Sequence, residues 1–67
     1  MPYVNIRVTR DGVTEDRKAQ LIKGVTDLLE GVLGKNQETT VVVIDEVDTD
    51  NWGIGGETVT VRRGRSR

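Results

Sequence analysis

The chain contains no cysteine and no histidine, which limits the chemistry that its side chains can perform. Disulfides, thiolate zinc sites, cysteine nucleophiles and Ser-His-Asp triads are excluded, because each needs one of these residues. Carboxylates remain as metal ligands, but only for hard cations. Proton transfer must therefore come from a less common group.

The N-terminal dipeptide Met1-Pro2 offers such a group. We expect Met1 to be removed because proline follows it, which leaves a free secondary amine at Pro2. An α-amino group has a reference pKa of about 7.7 to 8.0, and burial or nearby arginines lower it. A general base works best with a pKa near the operating pH, so Pro2 is a candidate base. The alternative is an ordinary Met-Pro start without a catalytic role.

Two other clusters of residues resemble a phosphate-binding loop and a calcium-binding loop, but neither has the required pattern. The glycines at 53, 55 and 56 precede a β-prone segment and lack a P-loop lysine, whereas phosphate loops open a helix. Counting an EF-hand loop from Asp45 places Asp50 at position six and Gly56 at position twelve, where glycine and glutamate are needed. No metal site is predicted.

The first half of the chain predicts a strand followed by a helix. Apolar and polar residues alternate from Tyr3 to Thr9, which indicates a half-buried strand. Thr14 is a typical N-cap, and apolar residues recur at helical spacing up to Gly34, a typical helix stop. The helix is predicted near residues 15 to 33.

A second strand is predicted from Thr39 to Val47. Strand, helix and strand make a right-handed βαβ unit, so the two long strands should be parallel. The unbroken apolar run from Val41 to Ile44 indicates a strand covered on both faces. One helix covers only one face, so another copy of the chain must cover the other.

The C-terminal part predicts a glycine-rich hairpin over residues 52 to 57, followed by a short strand from Thr58 to Val61. The predicted fold class is therefore α+β, with one domain over residues 1–61 and a basic C-terminal tail over 62–67. That tail carries four of the ten basic residues, Arg62, Arg63, Arg65 and Arg67, and the six others leave a balance of −5 in residues 1–61. We interpret the tail as a solvated, frayed end; nucleic-acid binding through it is the alternative.

The length of 67 residues also favours association. A domain of this size buries only about 60% of the surface that its unfolded chain exposes, and this chain has neither disulfides nor a thiolate metal site to compensate. No apolar run approaches the ~20 residues of a membrane span, and no signal peptide is recognisable. A cytoplasmic oligomer without membrane contact is predicted.

The start and the end of the domain carry a family resemblance. The strand Pro2-Tyr3-Val4-Asn5-Ile6, the helix segment 18–33 and the ending Trp52-Gly53-Ile54-Gly55-Gly56-Glu57 resemble the 4-oxalocrotonate (2-hydroxymuconate) tautomerases. The resemblance covers residues 2 to about 57. It implies a β-α-β subunit, a homohexamer built as a trimer of dimers, and active sites at subunit interfaces.

The same resemblance implies cofactor-free proton transfer on a dienol or enol form of a 2-oxo acid. Pro2 matches the family's catalytic base, and Trp52 matches an aromatic residue that lines its pocket. The two family arginines that bind substrate carboxylates match Val13 and Val41 instead. Arg10, in a loop one residue longer, is the candidate replacement for the first, since a bidentate fork needs only reach and orientation.

Nothing in the sequence obviously replaces the second arginine. Arg62 and Arg63 of a neighbouring subunit are weaker candidates, more readily interpreted as tail charges. A monocarboxylate enol such as an arylpyruvate is then at least as plausible a substrate as a dicarboxylate. Two other functions stay open: a tautomerase-fold assembly or regulatory protein with little catalysis, and an oligomeric nucleic-acid binder.

Overall fold

The computed structural model describes residues 1 to 65 and consists of a β-α-β unit followed by a hairpin and a short helix. The elements are β1 (Tyr3–Thr9), α1 (Glu15–Leu33), β2 (Val41–Val47), β3 (Gly53–Ile54), β4 (Glu57–Thr58) and α2 (Val59–Arg65). β1 and β2 are parallel, paired from Tyr3 opposite Val41 to Thr9 opposite Val47. The predicted α+β class and the parallel long strands are confirmed.

The bounds of α1 agree with the sequence prediction. The Thr14 hydroxyl accepts a hydrogen bond of 3.2 Å from the Arg17 amide, which satisfies one of the free N–H groups at the helix start. Gly34 adopts the left-handed conformation at φ 67°, and its amide donates to the Glu30 carbonyl at 2.8 Å. Glycine adopts this conformation without steric cost, so the helix ends there.

β2 begins two residues later than predicted. Gln37–Thr39 forms a 3-10 turn, which includes Thr39, the first residue of the predicted strand. The Asn36 side chain accepts from the Glu38 amide at 2.9 Å, and the Thr40 hydroxyl donates to the Asn36 carbonyl at 2.9 Å. These local side-chain bonds satisfy the backbone groups that a strand would otherwise pair.

The glycine-rich hairpin is confirmed, with β3 and β4 antiparallel. Its turn residues Gly55 and Gly56 have φ of 62° and 86°, the backbone that a tight two-residue hairpin requires. The strand predicted from Thr58 to Val61 is wrong beyond Thr58, because α2 begins at Val59. The Thr58 hydroxyl accepts from the Val61 amide at 3.2 Å and so acts as a cap for α2.

α2 also crosses the division predicted at residue 61. Arg62, Arg63 and Arg65 lie on this helix and form ion pairs with Glu57 and Asp11. Residues 62 to 65 are therefore helical and not frayed, while Arg63 and Arg65 are exposed to solvent as predicted. Ser66 and Arg67, the rest of the predicted tail, lie outside the described residues.

The protomer buries little of its apolar surface. Within residues 1–65, Val59 is the one buried hydrophobic residue, and its exposure is 8%. Val41 and Val43 lie exposed on the face of the sheet opposite to Val42 and Ile44, and Val32 of α1 is 71% exposed. The radius of gyration is 15.4 Å. A compact domain of this length would have one of about 11 Å.

No helix in the part of the chain that the structure describes has both the length and the apolar character needed to cross a membrane.

Candidate active site

A cleft lies where β1 ends, between that strand, the hairpin and α2. Its volume is about 660 Å³, within the range of pockets that hold small molecules. The cleft has one apolar and one charged set of lining residues. The apolar set consists of Val8, Val13, Trp52, Ile54 and Val59. The charged set consists of Arg7, Asp11, Arg62 and Arg63, and the polar Thr9 completes the lining.

Trp52 is half-buried in this lining and is held by the backbone of its own segment. Its carbonyl accepts a hydrogen bond of 2.8 Å from the Val59 amide, which joins the start of the hairpin to the start of α2. Trp52 thus lies in the lining of a cleft of the protomer, and its role as a pocket residue stays a prediction. The same hydrogen bond brings the first turn of α2 to the cleft.

Arg63 and Asp11 form the tightest ion pair of the cleft. Arg63 donates from both terminal nitrogens to the two Asp11 carboxylate oxygens, at 2.7 and 2.8 Å. The Thr9 hydroxyl donates to the same carboxylate at 2.5 Å. These bonds hold the pKa of Asp11 well below its usual range and raise the pKa of Arg63. The pair joins α2 to the loop after β1.

Arg62 lies beside the hairpin turn, with Nη1 at 4.0 Å from Glu57 Oε1. A Cβ at Gly55 would be 3.8 Å from the same nitrogen, so the guanidinium rests against the turn. The sequence interpretation of residues 62 and 63 as tail charges missed these cleft residues. The available signal was Thr58, a capping residue followed by an arginine-rich segment that suits a helix end.

Arg10 does not line the cleft. Its Nε lies 2.8 Å from Asp48 Oδ1, so the guanidinium is engaged by an acid that follows β2. Val13, at the position of a family arginine, supplies an apolar wall of the cleft instead. Val41, at the other such position, pairs with Tyr3 at the amino end of the sheet.

Pro2 lies at that amino end, where its carbonyl accepts from the Val41 amide at 3.0 Å. Val8, which lines the cleft with Trp52, is six residues further along the strand, a separation of roughly 20 Å at the rise of a parallel strand. One protomer therefore does not bring Pro2 and Trp52 together. A site that uses both residues needs two copies of the chain.

Comparison with known proteins identifies the class to which this fold belongs. Residues 2–62 match the model of the family described as tautomerase enzymes, and the chain belongs to that family. This membership supports an isomerase activity of the tautomerase type.

Individual relatives agree with this assignment. A probable tautomerase of Dickeya dadantii, K2, is 71% identical over 94% of both chains. The 2-hydroxymuconate tautomerase of Bacillus subtilis is 32% identical and covers 85% of this chain and 90% of its own. The crystal structure of DmpI from Helicobacter pylori superposes with a TM-score of 0.86 at 48% identity, covering 94% of this chain and 97% of that one.

Proposed function

We propose that the protein is a cofactor-free keto-enol tautomerase of the 2-hydroxymuconate tautomerase type, which acts on dienol or enol forms of 2-oxo acids. Pro2, which becomes the first residue after removal of Met1, is the general base. The observation that carries the proposal is the family match, which begins at residue 2 in a chain without histidine or cysteine.

The reaction needs one group that takes a proton and returns it. The neutral Pro2 nitrogen removes the hydroxyl proton of the enol, the carbonyl forms, and the carbon–carbon π electrons move toward the distal carbon. That carbon then takes the proton from the prolinium nitrogen. The base is regenerated and the net change is an isomerisation. An α-amino group suits both the removal and the return of the proton, because its pKa lies nearer to neutrality than that of a lysine side chain.

The substrate site is proposed to form between copies of the chain. Pro2 of one copy would meet the Trp52 cleft of another, since roughly 20 Å of strand separates them within one protomer. The exposed apolar surface of α1, and that of the sheet face with Val41 and Val43, supports a homo-oligomer, because association would remove this surface from water. The family resemblance makes a hexamer, a trimer of dimers, the expected assembly.

Within that site, Trp52 is the apolar wall beside the base. Arg10 is the carboxylate ligand expected from the sequence, and it would have to exchange its 2.8 Å ion pair with Asp48 for one with substrate. Such an exchange between exposed partners costs little, because surface ion pairs contribute at most about 1 kcal/mol.

The test is enol-to-keto conversion of a 2-hydroxydienoate and of phenylenolpyruvate by the wild type and by Pro2→Ala. We expect Pro2→Ala to lower the rate by at least about tenfold, the low end for an acid-base group. Tyr3→Phe, a change at the next residue that keeps the proline, should leave the rate within about twofold. Intact mass must show removal of Met1, because a retained methionine would turn the Pro2 amine into an amide.

Nucleic-acid binding through the C-terminal arginines is not favoured, because it would need accessible cations, whereas Arg63 and Arg65 are paired with Asp11 and Glu57. Equal rates for Pro2→Ala and wild type would instead favour the assembly or regulatory protein.

A further inference from the structure

Two clefts meet at Arg7 and Trp52, because both residues line each of them. The first is the 660 Å³ cleft described above, and the second has a volume of about 310 Å³. Val47, Asn51 and Gly53 complete the lining of the second cleft. An apolar ring placed against Trp52 would therefore share its cleft with Arg7, whichever of the two it occupied. A guanidinium beside an aromatic wall fits a small anion with an apolar body.

The guanidinium of Arg7 is held along one edge. Its Nε donates to Asn5 Oδ1 at 3.2 Å and lies 3.6 Å from Asp45 Oδ2. Asn5 Nδ2 donates to the same Asp45 oxygen at 2.8 Å, so the two groups that contact Nε are also bound to each other. Within residues 1–65, no hydrogen bond or ion pair engages the two terminal nitrogens of Arg7, and 71% of its side chain is exposed. These nitrogens can bind a ligand while Nε keeps both of its contacts.

The other arginines near the first cleft are already engaged. Arg63 donates from both terminal nitrogens to Asp11, and Arg62 lies against the hairpin turn beside Glu57. A ligand carboxylate bound by either of them would compete with a contact that the fold already makes. Arg7 needs no such exchange, which distinguishes it from both.

We infer that Arg7 is the carboxylate-binding residue of this site and that the apolar body of the ligand lies against Trp52. A guanidinium offers a carboxylate two parallel hydrogen bonds, and such charge-assisted pairs are among the stronger contacts in proteins. The inference deepens the proposed function: it rests on it for the enol 2-oxo acid as substrate, and it assigns the carboxylate contact to β1 instead of Arg10.

Binding can be measured apart from turnover, because Trp52 is the single tryptophan and lines both clefts. The full chain would be titrated with 3-phenylpropionate, which has no enolisable ketone, and with the neutral 3-phenylpropanol, by tryptophan fluorescence and calorimetry. The acid should bind the wild type at least about tenfold more tightly than the alcohol, as expected for a charge-assisted pair.

Arg7→Gln should remove that preference, and Arg7→Lys should weaken acid binding by about threefold or more, since lysine keeps the charge but loses the fork. Lys23→Gln is the matched control, because it also removes an exposed cation from an ion pair, with Asp27, but outside both cleft linings. Its acid binding should stay within about twofold of wild type. In turnover, Arg7→Gln should raise KM more than it lowers kcat.

Asp45→Asn separates direct contact with the ligand from a structural role of Arg7. The variant removes the carboxylate beside Nε and leaves the terminal nitrogens in place, so acid binding should be at least as tight as in wild type. A structural role through the ion pair predicts the same loss as in Arg7→Gln. Circular dichroism checks the fold of each variant, and Arg7→Lys carries the test if Arg7→Gln does not fold.

Equal binding of the acid by wild type, Arg7→Gln and Arg7→Lys would overturn the inference. A loss in Asp45→Asn as large as in Arg7→Gln would also overturn it, as would a loss on Arg10→Gln in place of Arg7→Gln. The proposed function fails separately. If Pro2→Ala keeps full turnover while Arg7→Gln still loses the acid, the proline base is wrong and the Arg7 assignment stands. If Pro2→Ala abolishes turnover while acid binding ignores Arg7, the reverse holds.

Discussion

Arg63 and Asp11 are 52 residues apart in the chain, and the arginine grips the carboxylate with two hydrogen bonds of 2.7 and 2.8 Å. This contact fixes α2 against the loop after β1 and so forms one side of the cleft. It converts an arginine-rich C-terminal segment into part of the candidate site.

The Asp11–Arg63 pair predicts a pH-dependent stability difference. The folded-state pKa of Asp11 lies below its unfolded value, chiefly because of the Arg63 hydrogen bonds. The stabilisation is therefore fully present above the unfolded pKa of about 3.9 and is lost as the pH falls through the lower folded value. Asp11→Asn should lower Tm at pH 7, and its difference from wild type should shrink progressively below about pH 4.

Glu38→Gln removes an exposed carboxylate from the turn before β2, away from Arg63, and is the charge-matched control; it should lower Tm at pH 7 less than Asp11→Asn does. The measurement is thermal melting by circular dichroism from pH 7 to pH 2. A gap between wild type and Asp11→Asn that stays constant down to pH 2 would contradict the ion-pair interpretation.

The cap of α1 predicts a site-specific loss of stability. Thr14→Ala removes the hydroxyl that accepts from the Arg17 amide at 3.2 Å, and it should cost about 1 kcal/mol of unfolding free energy. Thr26→Ala is the same substitution within the helix, where the hydroxyl donates to the Ile22 carbonyl, a bond that the helix does not need. Denaturant melts should show a smaller cost for Thr26→Ala; equal costs would exclude capping as the cause.

The exposed apolar side of α1 predicts sensitivity of the assembly to a single charge. Val32 is 71% exposed in the protomer, and burying a charge there on association would be costly. Val32→Glu should shift the protein toward monomer in light scattering after gel filtration, with parallel loss of turnover. Gln20→Glu adds the same charge to the same helix at an exposed polar position and should remain assembled. A monomeric wild type would refute the shared site altogether.

Local patterns were enough to predict β1, α1 and the hairpin. Alternation from Tyr3 to Thr9, the Thr14 cap and the Gly55-Gly56 turn each fix a backbone conformation through neighbours in sequence. The prediction of a strand from Thr58 to Val61 failed because four alternating residues are too few to distinguish a strand from a capped helix. In the structure, the Thr58 cap and the distant Asp11 carboxylate hold that segment as α2.

The candidate site was harder to predict, because it too depends on contacts between residues that are far apart in the sequence. Pro2 and Trp52 were found from residue chemistry and from the family resemblance, both of which are local properties. The arrangement of Arg62 and Arg63 around the cleft depends on a contact across most of the chain. The distance of Pro2 from Trp52 depends on the end of β1 beside which Trp52 lies. No short sequence pattern predicts either relationship.

The central claim is that Pro2 of one copy works in the Trp52 cleft of another, and mixing two inactive variants tests it most directly. Pro2→Ala and Trp52→Ala chains, co-refolded at equal amounts, should each be nearly inactive alone. Chance assembly should then restore about a quarter of the wild-type rate, because one site in four combines an intact Pro2 with an intact Trp52 from different chains. Pro2→Ala mixed with the double variant Pro2→Ala/Trp52→Ala is the control and should stay inactive. Activity of the first mixture no greater than the mean of its two components would contradict the account.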